Sequence, residues 1–349
     1  MVANQQIAVV VIGRNEGERL KRCIASLQKS SGQPVGPMVY VDSGSSDGSV
    51  EHAQSVGVDV VDLDISIPFT MARARNAGLQ YLQGHYPESQ YVQFVDGDCE
   101  VALSWIADAY AFLEQHPDSV AVCGNRAERY PTASVYNHLI DLEWQGIAGE
   151  VDACGGDAMY RVNRLVAVGG FNESMIAGEE AELCLRLRRE GGSIVRLDRP
   201  MTLHDANMHR LSQWWLRSVR CGHAYAQGFD LHSRDKARYK KRQLLSSLAY
   251  GVACPALFVL MVVMLMTMSL PTISVVFIYT AMLFLLSLYI RMIQKTVKSR
   301  RSLGNTPSEI SLYAWFIALG KFPEAQGVCK YYLNKLLGKT SKIIEYRNS

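Results

Sequence analysis

The sequence predicts an α/β protein, a mostly parallel, doubly wound sheet followed by a hairpin of two membrane-length helices. Three observations predict it. Valine-rich runs alternate with helix-period segments through the amino-terminal part, two carboxylates stand where one such run stops, and residues 244–290 contain no charged side chain.

The run at residues 7–12 is apolar throughout and reads as a buried strand, and residues 19–28 follow with Leu20, Ile24 and Leu27 at helical spacing. Residues 39–41 and 58–61 supply the next strands, separated by helical segments at 46–55 and 70–83. A strand at 91–95 completes this alternation, which is the pattern of a parallel sheet covered by helices. A helix over 103–115 and a strand over 120–123 lead into a less regular half, where Gly155-Gly156, Gly169-Gly170 and Gly191-Gly192 mark loops and 194–197 reads as one more strand.

A helix needs about 20 apolar residues to span a bilayer, so the charge-free run accommodates two passes with Ser269-Leu270-Pro271-Thr272 as the turn. Arg234, Lys236, Arg238, Lys240, Lys241 and Arg242 precede the run, and Arg291, Lys295, Lys298, Arg300 and Arg301 follow it, which places both flanks on the cytoplasmic side. No signal peptide is evident, so the expected setting is a multi-pass protein of the inner (cytoplasmic) membrane with its α/β domain facing the cytoplasm. The net charge of +3 and the position of the basic residues beside the apolar run argue against nucleic acid and for a phospholipid surface. Eight cysteines without a Cys-x-x-Cys pair support neither a zinc module nor a disulfide framework. Residues 310–337 read either as a segment lying on the membrane surface or as a helix packed on the α/β domain.

The motifs fall in a fixed order: Arg14-Asn15-Glu16 after the first strand, Asp42-Ser43-Gly44-Ser45-Ser46-Asp47-Gly48 after the second, Ala74-Arg75-Asn76-Ala77-Gly78, then Asp96-Gly97-Asp98. A second set follows: Cys154-Gly155-Gly156-Asp157, Gly169-Gly170-Phe171, Gly178-Glu179-Glu180 and His204. Together they resemble the family 2 glycosyltransferases, whose Rossmann-like GT-A fold binds a nucleotide-sugar donor.

That resemblance implies roles. Arg14, Glu16, Asp42, Asp47, Arg75 and Asp96 are expected on the donor, a UDP- or GDP-sugar, with Asp42 on the base, Arg75 on the diphosphate and Asp96 on the ribose or a metal-bound water. Asp98 is the expected ligand of Mn2+ or Mg2+, assisted by Asp96 and by the His204 imidazole. Glu180 or its neighbour Glu179 is the expected catalytic base. Asp157 falls in the acceptor half. Trp214, Trp215 and Arg217 are candidates for acceptor binding, the indoles by stacking on a sugar, although interface anchoring is the commoner use of such residues.

The domain plan is then a GT-A domain over 1–230, divided into a nucleotide-sugar half (1–100) and an acceptor half (101–230). A basic segment (231–243), the transmembrane hairpin (244–293) and a cytoplasmic or interfacial tail (294–349) follow it. The implied activity is metal-dependent, inverting sugar transfer to a membrane-associated acceptor, a lipid-linked saccharide by preference. Transfer to a polyprenyl phosphate is the alternative, and a non-catalytic nucleotide-sugar-binding subunit is the third reading. Oligomerisation is left open.

Overall fold

The computed structural model describes residues 6–30, 35–234 and 239–345, so Lys236 and Arg238 of the basic segment lie outside the described residues. The chain divides into two compact units, Met1–His209 and Arg210–Ser349.

The first unit opens with β1 (Ile7–Gly13), α1 (Glu18–Gln28), β2 (Met38–Asp42), α2 (Ser49–Ser55), β3 (Asp59–Asp62), α3 (Met71–His85) and β4 (Tyr91–Asp96). It continues with β5 (Cys99–Val101), α4 (Trp105–Gln115), β6 (Ser119–Glu128), α5 (Val135–Trp144), β7 (Gly149–Glu150), β8 (Ala158–Arg161), α6 (Val162–Ala167), α7 (Glu179–Arg189) and β9 (Ser193–His204). Among the described residues one sheet holds nine strands, in the order β3-β2-β1-β4-β8-β6-β9-β5, with β7 on β9. The first four strands in chain order pair in parallel, and β8 enters antiparallel between β4 and β6. Strand β1 is buried along its length, and α1 covers the sheet through Leu20, Cys23, Ile24 and Leu27, the side chains at helical spacing. Burying one such aliphatic side chain contributes about 1.5–3 kcal/mol.

Register places the chemistry. Gly13 pairs with Asp42 and Ile12 with Asp96, so the acidic ends of β2 and β4 flank the end of β1 at the carboxyl edge of the sheet. On the far side, antiparallel pairing of β5 with β9 sets Cys99 opposite His204.

The second unit is helical: α8 (Leu211–Leu231), α9 (Lys241–Leu248), a π-helical turn (Ala249–Ala253), α10 (Cys254–Thr267), α11 (Thr272–Ser302) and α12 (Pro307–Leu336). The division after His209 precedes the expected end of the α/β domain at 230, because α8 pairs along its length with α12. Ala226, Leu244, Val328 and Tyr331 form the core between α8, α9 and α12. Segments Lys241–Thr267 and Thr272–Ser302 are each long and apolar enough to cross a membrane, and only 6% of the apolar window of each is buried. That exposure separates them from the core helices of a soluble domain.

Candidate active site

The loops after β1 and β2 organise each other. Asn15, at φ 54°, accepts the Ser46 N–H and donates its own to Ser45 Oγ, both at 2.8 Å. Asp42 is buried, and its carboxylate accepts from Tyr40 Oη at 2.8 Å and from the N–H groups of Gly44 (2.8 Å) and Ser45 (2.7 Å). One Asp42 oxygen thus caps the turn, and the other meets Tyr40 on β2. Asp47 is exposed and accepts from the Ser49 N–H and hydroxyl at the start of α2. Glu16 is buried and paired with Arg19 at 2.9 Å, whereas Arg14 is exposed.

The Arg75 guanidinium is buried and bridges three carboxylates, Asp96 (2.8 Å), Glu179 (2.9 Å) and Glu180 (3.4 Å). Burial opposes its charge, and Asp96, Glu180 and Glu179 more than offset that, leaving its pKa above the ordinary arginine value. Its neighbour Asn76 fastens the Gly-Gly-Phe turn, accepting the Phe171 N–H at 2.8 Å and donating to Phe171 O and Glu173 Oε1 at 2.9 Å each. Gly156 lies against the Arg75–Asp96 pair, where a Cβ would stand 2.4 Å from Arg75 Nη2 and 2.7 Å from Asp96 Oδ2. Only glycine leaves that space.

Asp157 is fully buried and sits beneath this layer. It accepts the Asp96 N–H at 3.0 Å and the Thr202 hydroxyl at 2.9 Å, and it pairs with Arg126 at 2.6 Å. Burial would raise its pKa, but Arg126 and the Asp96 N–H outweigh that and hold it below the ordinary carboxylate range. Asp157 thus supports Asp96 from beneath. Arg126 lies 5.2 Å from the Trp144 ring centroid, and the same ring meets His204 edge-on at 4.7 Å. Arg196 donates to Trp144 O at 2.9 Å and holds this corner.

At the next corner Asp98 Oδ2 and His204 Nε2 converge to 3.2 Å, both side chains nearly buried. Cys99 lies within ligand reach of the pair, and burial, reinforced by Asp157, pushes its thiol well above the ordinary range. Asp96 gives one carboxylate oxygen to Arg75, and Asp98 and His204 are the candidate donors to a metal. A carboxylate with an imidazole fits Mn2+ or a similar divalent ion. Behind the ring, His204 Nδ1 is buried without a hydrogen bond, and the Glu128 carboxylate stands 3.8 Å from it. Arg75 and Arg126 face Asp96, Asp157, Glu179 and Glu180, and this excess of carboxylates also suits a cation.

Glu179 and Glu180 open α7 after Gly178 in the left-handed region. The Glu179 side chain is 1% exposed and the Glu180 side chain 19%. Trp214, Trp215 and Arg217 are on α8 in the second unit. Trp214 packs edge-on against Phe316 at 4.9 Å and Trp215 donates to Gln326 at 2.8 Å, both partners on α12, so both indoles are engaged in helix packing. Sequence reasoning missed Arg126, Glu128, Trp144 and Thr202. The only signal for them was their place at the ends of a strand and a helix, which distinguishes them weakly from surface residues.

Residues 8–156 match the glycosyl transferase family 2 model. Among solved structures, the mannosyltransferase PcManGT from Pyrobaculum calidifontis, determined with GDP-Man and Mn2+, is similar at 19% identity and TM-score 0.58, over 95% of this chain and 88% of that one. S. aureus TarS is similar at 17% identity and TM-score 0.51 over 70% of this chain, which spans only 43% of that TarS chain. A TarS fragment, residues 1–349, gives 14% identity and TM-score 0.51 over 96% of this chain and 92% of the fragment. At such identities the likeness is one of fold. No curated protein matches the sequence.

Proposed function

We propose that this chain, which carries a family 2 glycosyltransferase domain on a GT-A fold, moves a sugar from a nucleotide donor to the hydroxyl of a membrane-associated acceptor with inversion at the anomeric carbon. One observation carries the assignment of the base: of the two acids that open α7, Glu179 is sealed against Arg75 while Glu180 keeps an accessible carboxylate. A divalent cation bound at Asp98 and His204 would stabilise the charge that develops on a departing nucleoside diphosphate.

The Glu180 carboxylate takes the proton of the acceptor hydroxyl. The freed oxygen forms its bond to the anomeric carbon as the bond to the donor phosphate breaks, and that electron pair leaves with the nucleoside diphosphate. Attack from the face opposite the leaving group inverts the centre. Asp157 and Arg75 hold Asp96 between them, Asp157 at its backbone and Arg75 at its carboxylate, and so fix the wall on which the donor rests.

The membrane part of the reading rests on the exposed apolar helices α10 and α11 and on the basic residues flanking them. Helix α12 begins shortly after α11 and exposes Trp315, Leu319 and Phe322 at i, i+4 and i+7, a stripe suited to the bilayer surface. These features favour a lipid-linked acceptor and a cytoplasmic catalytic face.

The test is release of nucleoside diphosphate from a panel of UDP- and GDP-sugars by the purified protein in lipid nanodiscs, with Mn2+, with Mg2+ and with chelator, beside Asp98→Ala. Metal-dependent release from one donor, lost in the variant, is the expected result. Release that survives both chelator and the substitution would overturn the metal assignment.

A further inference from the structure

Arg75 joins three elements that are distant in the sequence. It projects from α3, and its partners are the end of β4 and the first turn of α7, at residues 96, 179 and 180. The side chain is 2% exposed, its Nε finds no hydrogen-bond acceptor, and the next residue, Asn76, ties the loop that leads into α7. Such a group is costly to bury, and hydrophobic replacement of a buried ion pair is often neutral or stabilising. Stability alone therefore does not account for placing a guanidinium among three carboxylates at this spot.

We infer that Arg75 is a positioning residue that holds the Glu180 carboxylate in register with Asp96, with Glu179 as the fixed anchor of the arrangement. The inference rests on the proposed transfer reaction. Two nitrogens divide the work: Nη2 takes Asp96, and Nη1 takes Glu179 at 2.9 Å and Glu180 at a looser 3.4 Å. Glu179 thereby fixes the guanidinium, and Glu180 is aimed by it without being closed off. Gly156 keeps the passage between Arg75 and Asp96 free of a side chain. A base displaced by about 1 Å loses on the order of a hundredfold in rate, so the aim itself is worth that much.

The variants are Arg75→Gln, Arg75→Lys, Glu179→Gln and the double Arg75→Gln/Glu179→Gln, each measured for melting temperature and for kcat and donor KM in Mn2+-dependent nucleoside diphosphate release, with a membrane lipid extract as acceptor source. Arg75→Gln strands a buried carboxylate and is expected to melt early. The double variant removes that stranded charge, so its melting temperature is expected to return close to wild type while kcat stays about a hundredfold down and donor KM changes less than about threefold. Arg75→Lys is expected to recover part of kcat, because an ammonium supplies the charge without the fork. Recovery of kcat together with melting temperature in the double variant would show a purely structural residue and overturn the inference. A wild-type protein that releases nucleoside diphosphate from no donor would overturn the reaction itself, and this inference with it.

Discussion

Substituting Gly156 by alanine adds one methyl group at the most crowded point of the site. The new Cβ would stand 2.4 Å from Arg75 Nη2, 2.7 Å from Asp96 Oδ2 and 3.1 Å from Asp96 Oδ1. The first distance is about 1 Å inside ordinary van der Waals contact, so the guanidinium or the carboxylate must retreat by that amount. A 2.8 Å ion pair stretched that far is no longer a hydrogen bond. Forcing a methyl into a packed region costs about 1–3 kcal/mol, and the partly exposed Asp96 lets some of the strain relax, so about 2 kcal/mol is the working figure. For a unit of this size that corresponds to a melting temperature about 4–8 °C lower. Because the displaced pair aims Asp96 and Glu180, kcat is expected to fall about a hundredfold, well beyond the fraction of protein unfolded at the assay temperature. The assay pairs a thermal melt with donor turnover at 25 °C. A Gly156→Ala protein that melts and turns over like wild type would refute the reasoning, since the backbone would then have absorbed the methyl without moving either side chain.

Further outcomes follow from other contacts. Asp157→Asn replaces two acceptor oxygens with one oxygen and one NH2, so either the Asp96 N–H or the Thr202 hydroxyl loses its acceptor, and Arg126 loses its 2.6 Å ion-pair partner; a denaturant titration is expected to show a loss of about 3 kcal/mol. Asp98→Asn and His204→Gln are expected to abolish tight Mn2+ binding followed by electron paramagnetic resonance, while Glu128→Gln, behind the imidazole, weakens it about tenfold or more. In the helical unit, burial first and Lys330 second push His223 down to about 4 from its ordinary 6.5. The unfolded chain then binds the proton more tightly, so stability is complete above pH 6.5 and falls by about 3 kcal/mol in total as pH drops toward 4. His223→Gln is expected to flatten that part of the pH–stability curve.

The strands and helices of the amino-terminal half were legible because each carries its own periodicity. The run 7–12 and the Leu20, Ile24, Leu27 spacing declare β1 and α1 without reference to partners. Strands β5, β7 and β8 have two to four residues each and owe their existence to pairing with distant strands, so no local pattern announced them. The same limit applied to the site. Asp98, His204 and the Glu179-Glu180 pair stood out as residue types in a known order, but their partners came from elsewhere in the chain. Arg75 was legible as a cation and not as the hub of three carboxylates, because those partners lie at positions 96, 179 and 180. Trp214 and Trp215 suggested sugar stacking because their actual partners, Phe316 and Gln326, are about a hundred residues downstream on α12.

The account turns on Glu180 as the base, and its most direct test is donor turnover by Glu180→Gln beside wild type in the presence of Mn2+ and a membrane lipid extract as acceptor source. Loss of about a hundredfold or more in kcat, with donor KM nearly unchanged, is the result the account predicts. Turnover equal to wild type would contradict it and point to an acceptor that is already anionic, such as a polyprenyl phosphate, which needs no base.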